Sequence, residues 1–476
     1  MIEVPSLEEL LADKSGRDLS WTWLPPSKGV LDPDRLRSNV PMRCFRTRVL
    51  HGTQGAIVLP GCKVFRYNRL RMTPLVPHAQ KYPEWVRIHD SQGRPVREIL
   101  PRITQDALQP REYHDPVVRS GRYVYLGFVI MHYGHLLTEF LSRMWFDPSV
   151  FDPDTRFLVQ AREEHQNWWR EGVGFSRNIM EMICRAFGVP TDRVEFVDRE
   201  AEYETVFAPT PLNAYPLASR PEVSALYERL ADHVLQRYPK DDVPGVGKQL
   251  FLSRSGLSGE RRTYYNGVEV DRIFADLGYS VVHPQRHSFP AQVRMFRRAR
   301  IVAGEEGSAL CGAMFAKRPE VVYLESGRFH SNLPNMLYHH ARRMHYVVAH
   351  ENWERIAPAS LFSKLYVPRS TLVRALSDIP GGASTESICI SDTDRGYLRM
   401  FEAAQRGDIL CCADELARLI QSSPKSFQPD VLPALMQNLR EAKVPEQQFA
   451  QFAKFAREVL HLHAGLRTAS AAPTVH

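Results

Sequence analysis

The chain has 476 residues, 43% hydrophobic and 24% charged, the make-up of a globular protein and longer than one core usually supports. Its 61 Lys and Arg against 54 Asp and Glu leave a formal charge of +7, a mild excess that welcomes phosphates or anionic glycans. No basic tract alternates with aromatics, so no nucleic-acid partner is expected, and no window approaches the ~20 apolar residues of a membrane span. The acidic start Met1-Ile2-Glu3-Val4-Pro5 lacks an apolar stretch and is read as no signal peptide. The 7 cysteines are scattered without a Cys-x-x-Cys pair, which argues against a zinc site or a disulfide framework and for a reducing cytoplasm.

From Met1 to about Pro41 the text is Pro-, Asp- and Ser-rich and reads as an irregular arm. Short β-like runs follow, Gly55–Leu59 and Glu84–Ile88, forming an antiparallel lead-in. Strands are then expected at Tyr123–Ile130, Arg156–Gln160, Arg193–Val197 and Glu204–Ala208. Between them lie a turn at Gly134 and helices at His135–Trp145, Ser176–Phe187 and Pro221–Tyr238. Pro239–Gly247 is polar, Pro/Gly-rich and without period, and reads as a linker. The alternation then restarts with strands at Gln249–Ser253, Ser280–His283, Arg300–Ala303, Glu320–Glu325 and His345–Ala349. Helices Asn266–Leu277, Pro290–Arg298, Ser308–Ala316 and Asn332–Arg343 separate them. Strand–helix alternation of this kind implies βαβ units and a largely parallel sheet. From Thr393 helical patterns dominate. The expected organisation is an arm and β-rich lead-in over 1–120, one α/β lobe over 121–238, a second over 248–350, and a connecting segment with a helical tail over 351–476.

The segment Arg300-Ile-Val-Ala-Gly-Glu-Glu-Gly-Ser-Ala-Leu310 runs a hydrophobic strand into glycines and acids that open a helix. Bare glycines let a ligand approach the backbone, and a helix start offers free N–H groups to a phosphate. It is neither a Gly-x-Gly-x-x-Gly fingerprint nor a Walker loop, which disfavours a dinucleotide oxidoreductase. Two acids beside a phosphate would repel it, so they are expected to face ribose or sugar hydroxyls.

Read in order, Leu250–Arg254, Arg261-Arg262 with Asn266 and Glu269, Leu277–Tyr279, Val281–Pro284, Phe289, Gln292, Phe296, Ile301–Gly304, Gly307–Leu310 and Val321–Glu325 resemble the catalytic domain of glycosyltransferase family 61. An upstream echo at Met131-His-Tyr-Gly-His135-Leu-Leu-Thr-Glu139 is similar to a family segment in which a His precedes an acid by four residues. The chain departs from the family at its loop histidine, which is Glu306 here, and Gly307-Ser308 stands for Gly-Ala.

The resemblance implies an α/β protein of two facing Rossmann-like lobes, the GT-B arrangement, with the donor on the C-terminal lobe and the acceptor on the N-terminal one. It further implies an inverting hexosyl or pentosyl transfer with no obligatory metal or cofactor. The donor would be a UDP-linked sugar and the acceptor a glycan or lipid-linked glycan. The setting would be a capsular or exopolysaccharide-type bacterial pathway, in the cytoplasm or at the inner face of the membrane with peripheral association.

Arg254 and Arg262 are expected on the diphosphate, whose leaving-group charge must be stabilised. Gly304, Glu306, Gly307, Ser308, Ala309 and Leu310 would form the donor loop. Positions i and i+4 share a helix face, so His135 and Glu139 meet. An inverting transferase needs a base for the acceptor hydroxyl; Glu139 steadied by His135 suits this, and His135 is the other candidate. A catalytically silent glycan- or nucleotide-binding protein is the alternative, favoured by Glu306. The Asp32/Asp34, Asp152/Asp154 and Asp392/Asp394 pairs read as structural, with Asp394 capping a helix. His339, His340, His345 and His350 show no metal-ligand spacing within one helix.

Overall fold

A computed structural model describes residues 19–24, 27–30, 35–38, 56–59, 62–75, 88–96, 115–214, 218–239, 243–257, 263–325, 332–348, 364–376, 392–422, 427 and 431–469. It is a mixed α/β structure with two main sheets and a helical C-terminal region. In the first sheet Cys62–Met72 runs antiparallel to both Leu19–Leu24 and Ala201–Pro209. Ala201–Pro209, Val117–Val129, Arg156–Ala161 and Val194–Phe196 then continue it in parallel.

The second sheet is parallel throughout. Its order is Ser280–Val282, Gln249–Leu252, Ile301–Glu305, Glu320–Glu325, Arg343–Val348 and Leu36–Ser38. Counting only the strands after residue 248, this is order 2-1-3-4-5. The chain therefore reverses direction between Gln249–Leu252 and Ile301–Glu305, and ligands of such sheets bind at the carboxyl ends of those two strands.

Several sequence expectations are corrected. The arm supplies strands Leu19–Leu24, Ser27–Val30 and Leu36–Ser38, the last completing the second sheet. Arg35 pins it there by donating to the carbonyls of Tyr338 and Ala341 at 2.9 and 2.7 Å, at the end of the Asn332–His340 helix. These partners lie about three hundred residues away in sequence, so no local pattern reports them. The helix expected to reach Arg343 stops at His340, and Arg343 already belongs to a strand. Glu163–Glu171 is a helix that went unread, closed by Gly172 in the left-handed conformation. Asp394 lies within a helix that starts at Asp392, Asp152 pairs with Arg122, and Asp32 and Asp34 fall outside the described residues.

The two sheets share one continuous buried core. It runs from Leu136, Phe140 and Val159 through Tyr227 and Leu230 to Phe289, Phe315 and Tyr323. Helix Val223–Arg237 is the hinge pin of this packing: Tyr227 sets its ring edge-on to Phe315 at 5.1 Å and donates its hydroxyl to Leu137 O at 2.8 Å. The tail helices Asp392–Arg406, Ile409–Ser422, Val431–Glu441 and Glu446–Ala469 build a separate core, onto which Tyr265 docks through Phe401 at 5.3 Å.

Replacing Tyr227 by Phe keeps the ring and leaves a buried carbonyl short of a donor. Urea unfolding is expected to show a loss of about 1–3 kcal/mol; a neutral substitution would mean that the Leu137 contact holds nothing.

Candidate functional site

The stretch after Val117–Val129 was expected to be one α-helix from His135. It is instead a single α-turn Tyr133–His135, a π-turn Leu136–Phe140 and a 3-10 turn Leu141–Arg143. Wide π-turns disturb the usual carbonyl pairing and recur at functional sites. Here side chains supply donors to the carbonyls: Thr138 to Gly134 O, Tyr227 to Leu137 O, Asn213 to Thr138 O and Ser142 to Glu139 O, all at 2.8–3.0 Å.

The turn brings His135 Nδ1 to 3.1 Å from Glu139 Oε1. The carboxylate lies beneath the imidazole, the two side chains being 5% and 25% exposed respectively. One turn further on, Arg143 is buried and donates to Pro209 O at 2.6 Å over the Tyr125 ring. Burial pushes its guanidinium down to about 10, while Tyr125 and Glu139 pull the other way. It therefore stays a cation at neutral pH, four residues from Glu139. Gly127 exists for this side chain: a Cβ there would sit 2.7 Å from Arg143 Nε.

The second half of the site lies at the carboxyl edge of the parallel sheet. Arg254 follows the Gln249–Leu252 strand, and Glu305, Glu306 and Gly307 follow or end Ile301–Glu305. A Cβ on Gly307 would come 2.3 Å from Arg254 Nη1, so the guanidinium lies over bare backbone. A Cβ on Gly134 would come 2.8 Å from Ser308 Cβ. The two halves thus touch. Ser308 rests on the turn that carries His135 and Glu139, and its neighbour Gly307 underlies Arg254.

Of the expected residues, His135 meets Glu139, Gly307 lies under Arg254, and Ser308 abuts the turn that carries His135 and Glu139. Ala309 follows in the same turn, half-buried, and Glu306 is buried, its N–H bonded to Leu324 O at 2.8 Å. Gly304 lies inside the strand, with room only for Leu252 and Leu310, and Leu310 is core. The helix expected from Ser308 is a 3-10 helix, Ser308–Phe315. Arg262 falls outside the described residues. The histidines of 339–345 serve separate contacts: His340 bridges Ser224 and Ala316 O at 2.9 and 2.8 Å, and His345 faces Glu320 at 3.5 Å.

Residues that sequence reasoning missed are Arg143 and Asp271; in the sequence Gly134 reads as a turn only, and Glu305 as one of two acids facing sugar or ribose hydroxyls. Arg143 stands four after Glu139, a spacing that could have revealed it; Asp271 gave no such signal. Ser255 donates to Asp271 at 2.5 Å. Glu305 is buried beside Asp271 and Arg254 and accepts the backbone N–H groups of Arg254 and Tyr264.

With this geometry in place, residues 133–323 match the family model described as Glycosyltransferase 61. The matched stretch contains both halves of the site. No curated protein matches the chain. The chain is therefore similar to a glycosyltransferase family across the region that carries the constellation. No helix among the described residues is long and apolar enough to cross a membrane.

Burial raises the Glu305 carboxyl to about 7, against Arg254, which lowers it, and with Asp271, which raises it. The ordinary value is 4.5. Between the two the folded protein holds a proton that the unfolded chain has released, so this contribution to stability is complete below pH 4.5 and lost as pH rises through about 7. Denaturant unfolding across this range should show Glu305→Gln gaining on the wild type as pH rises. A pH-independent difference would contradict this assignment.

Proposed function

We propose that the chain transfers a sugar from a nucleotide-sugar donor to a glycan acceptor with inversion, as a GT-B-type enzyme of the kind its family resemblance implies. One observation supports this above the others: Ser308 rests on Gly134 while Gly307 underlies Arg254. Adjacent residues thereby link the turn that carries a proton acceptor to the loop that underlies a cation suited to a leaving diphosphate.

In this reading the diphosphate meets Arg254 at the carboxyl edge where parallel sheets receive ligands; Arg262 is kept as a second cation on the sequence resemblance alone. The acceptor hydroxyl reaches His135. Glu139 is the more deeply buried of the two, with Oε1 3.1 Å from His135 Nδ1; in this reading the carboxylate favours the tautomer with hydrogen on Nδ1, which leaves Nε2 its lone pair. The burial difference favours His135 over Glu139 as the base. Nε2 removes the hydroxyl proton as the oxygen bonds to the anomeric carbon, and the bond from that carbon to the donor phosphate oxygen breaks. The electron pair leaves with the nucleoside diphosphate, whose charge Arg254 stabilises. A UDP-linked donor, a glycan or lipid-linked glycan acceptor and a place in bacterial polysaccharide synthesis at the inner membrane face complete the proposal.

Glu306 at the position of the family histidine favours a second reading, a binding protein that retains donor affinity without turnover. Donor hydrolysis or transfer separates the two.

His135→Ala is expected to lower transfer by 10²–10⁴-fold, the usual loss for a general base, with donor affinity unchanged and activity partly restored by added imidazole. If Glu139→Gln is the deeper lesion and imidazole restores nothing, Glu139 is the base. Separately, Arg254→Ala should weaken nucleoside diphosphate binding by roughly 1.5–3 kcal/mol; unaltered affinity by calorimetry would remove Arg254 from the site.

A further inference from the structure

Beside the His135 turn lies a cavity of about 470 Å³ between helices Phe175–Ala186 and Val223–Arg237 and the start of Phe289–Arg298. Phe175 and Phe289 form part of its wall, and Tyr133 packs against both rings, at 6.4 and 6.2 Å. The same residue that precedes Gly134 therefore backs the cavity.

Its lining carries three basic side chains, Arg185, His233 and Arg237, against one carboxylate, Glu181. Arg229, His233 and Arg237 are spaced by four and share one face of the Val223–Arg237 helix, an arrangement of basic groups that costs stability in a helix. Arg185 reaches the cavity from the neighbouring helix. Glu181 is the carboxylate in the lining, and Arg177 and Arg185 already bind it. Arg229 is engaged, donating to Ala186 O at 2.9 Å over the Phe187 ring. Arg237 makes no ion pair or hydrogen bond among the described residues. His233 titrates below its ordinary value through burial and then Arg237, Arg185 and Arg229. Concave basic surface of this kind concentrates anions. Phe175, 45% exposed at the rim, gives an apolar face to a sugar ring or chain entering there.

We infer that the cavity holds an anionic group of the acceptor, a phosphate or a carboxylate, between Arg237 and His233. Naming the acceptor as its bearer rests on the transferase reading; anion binding itself does not.

The test is calorimetry on the full chain with sulfate, with glucuronate and with neutral glucose, each in the presence of saturating UDP so that the Arg254 side is filled. Sulfate or glucuronate should bind, glucose should not, and the tighter anion tells a tetrahedral group from a planar one. Arg237→Gln should weaken that binding at least about tenfold, the loss of one charge-assisted hydrogen bond. Arg237→Glu should abolish it, and His233→Asn should weaken it also. Arg237 is exposed at a helix end, so its variants keep the core. Absent anion binding, or equal binding by wild type and variants, would overturn the inference. Failure of UDP itself to bind would instead count against the transferase reading.

Discussion

The approach of Gly134 to Ser308 is the constraint on which the site depends. At this point the turn following a strand of the first sheet touches the loop following a strand of the second, and a single methyl group would part them. Such closeness requires a backbone that holds its shape. The π-turn provides that shape because Tyr227, Asn213, Thr138 and Ser142 donate to its carbonyls. Two of these donors, Tyr227 and Asn213, come from elsewhere in the chain, so the turn is a tertiary product.

Charge follows the same logic. A buried carboxylate is costly unless cations or donors surround it. Glu139 has His135 on one side and Arg143 on the other, each four residues away. Glu305 has Arg254 and two backbone N–H groups but also Asp271 nearby, and burial leaves its proton bound up to about pH 7. The two sides of the site therefore carry carboxylates in different states of compensation. One has an imidazole and a buried guanidinium within four residues on either side; the other lies at the sheet edge, where the proposed donor would arrive.

The shared core explains how two sheets can hold this geometry. Phe289 contacts both Tyr133 and Phe315, and Phe315 contacts Tyr227. The aromatic chain links the N-terminal turn, the helix Val223–Arg237 and the loop after Ile301–Glu305 without passing through solvent. Interiors packed in this way transmit displacement, so a change in the helix face bearing His233 and Arg237 is felt at Tyr133, next to the turn.

The sequence alone determined the parts whose signals are local. Strands Gln249–Leu252, Ile301–Glu305 and Glu320–Glu325 read directly, because parallel strands buried on both faces are continuous apolar runs. The His135 and Glu139 pairing was legible from a four-residue spacing, and the glycines at 304 and 307 from their place after a strand. Tertiary structure decided the rest. It separated the two glycines, giving 304 to Leu252 and Leu310 and 307 to Arg254. It turned the expected α-helix at His135 into a π-turn, since two of the donors that satisfy its carbonyls, Tyr227 and Asn213, lie on other elements. It drew Leu36–Ser38 into a sheet whose other strands begin at residue 249. Local periodicity fixes which face of an element is apolar; which other face it meets, and how closely, depends on contacts between residues far apart in the chain.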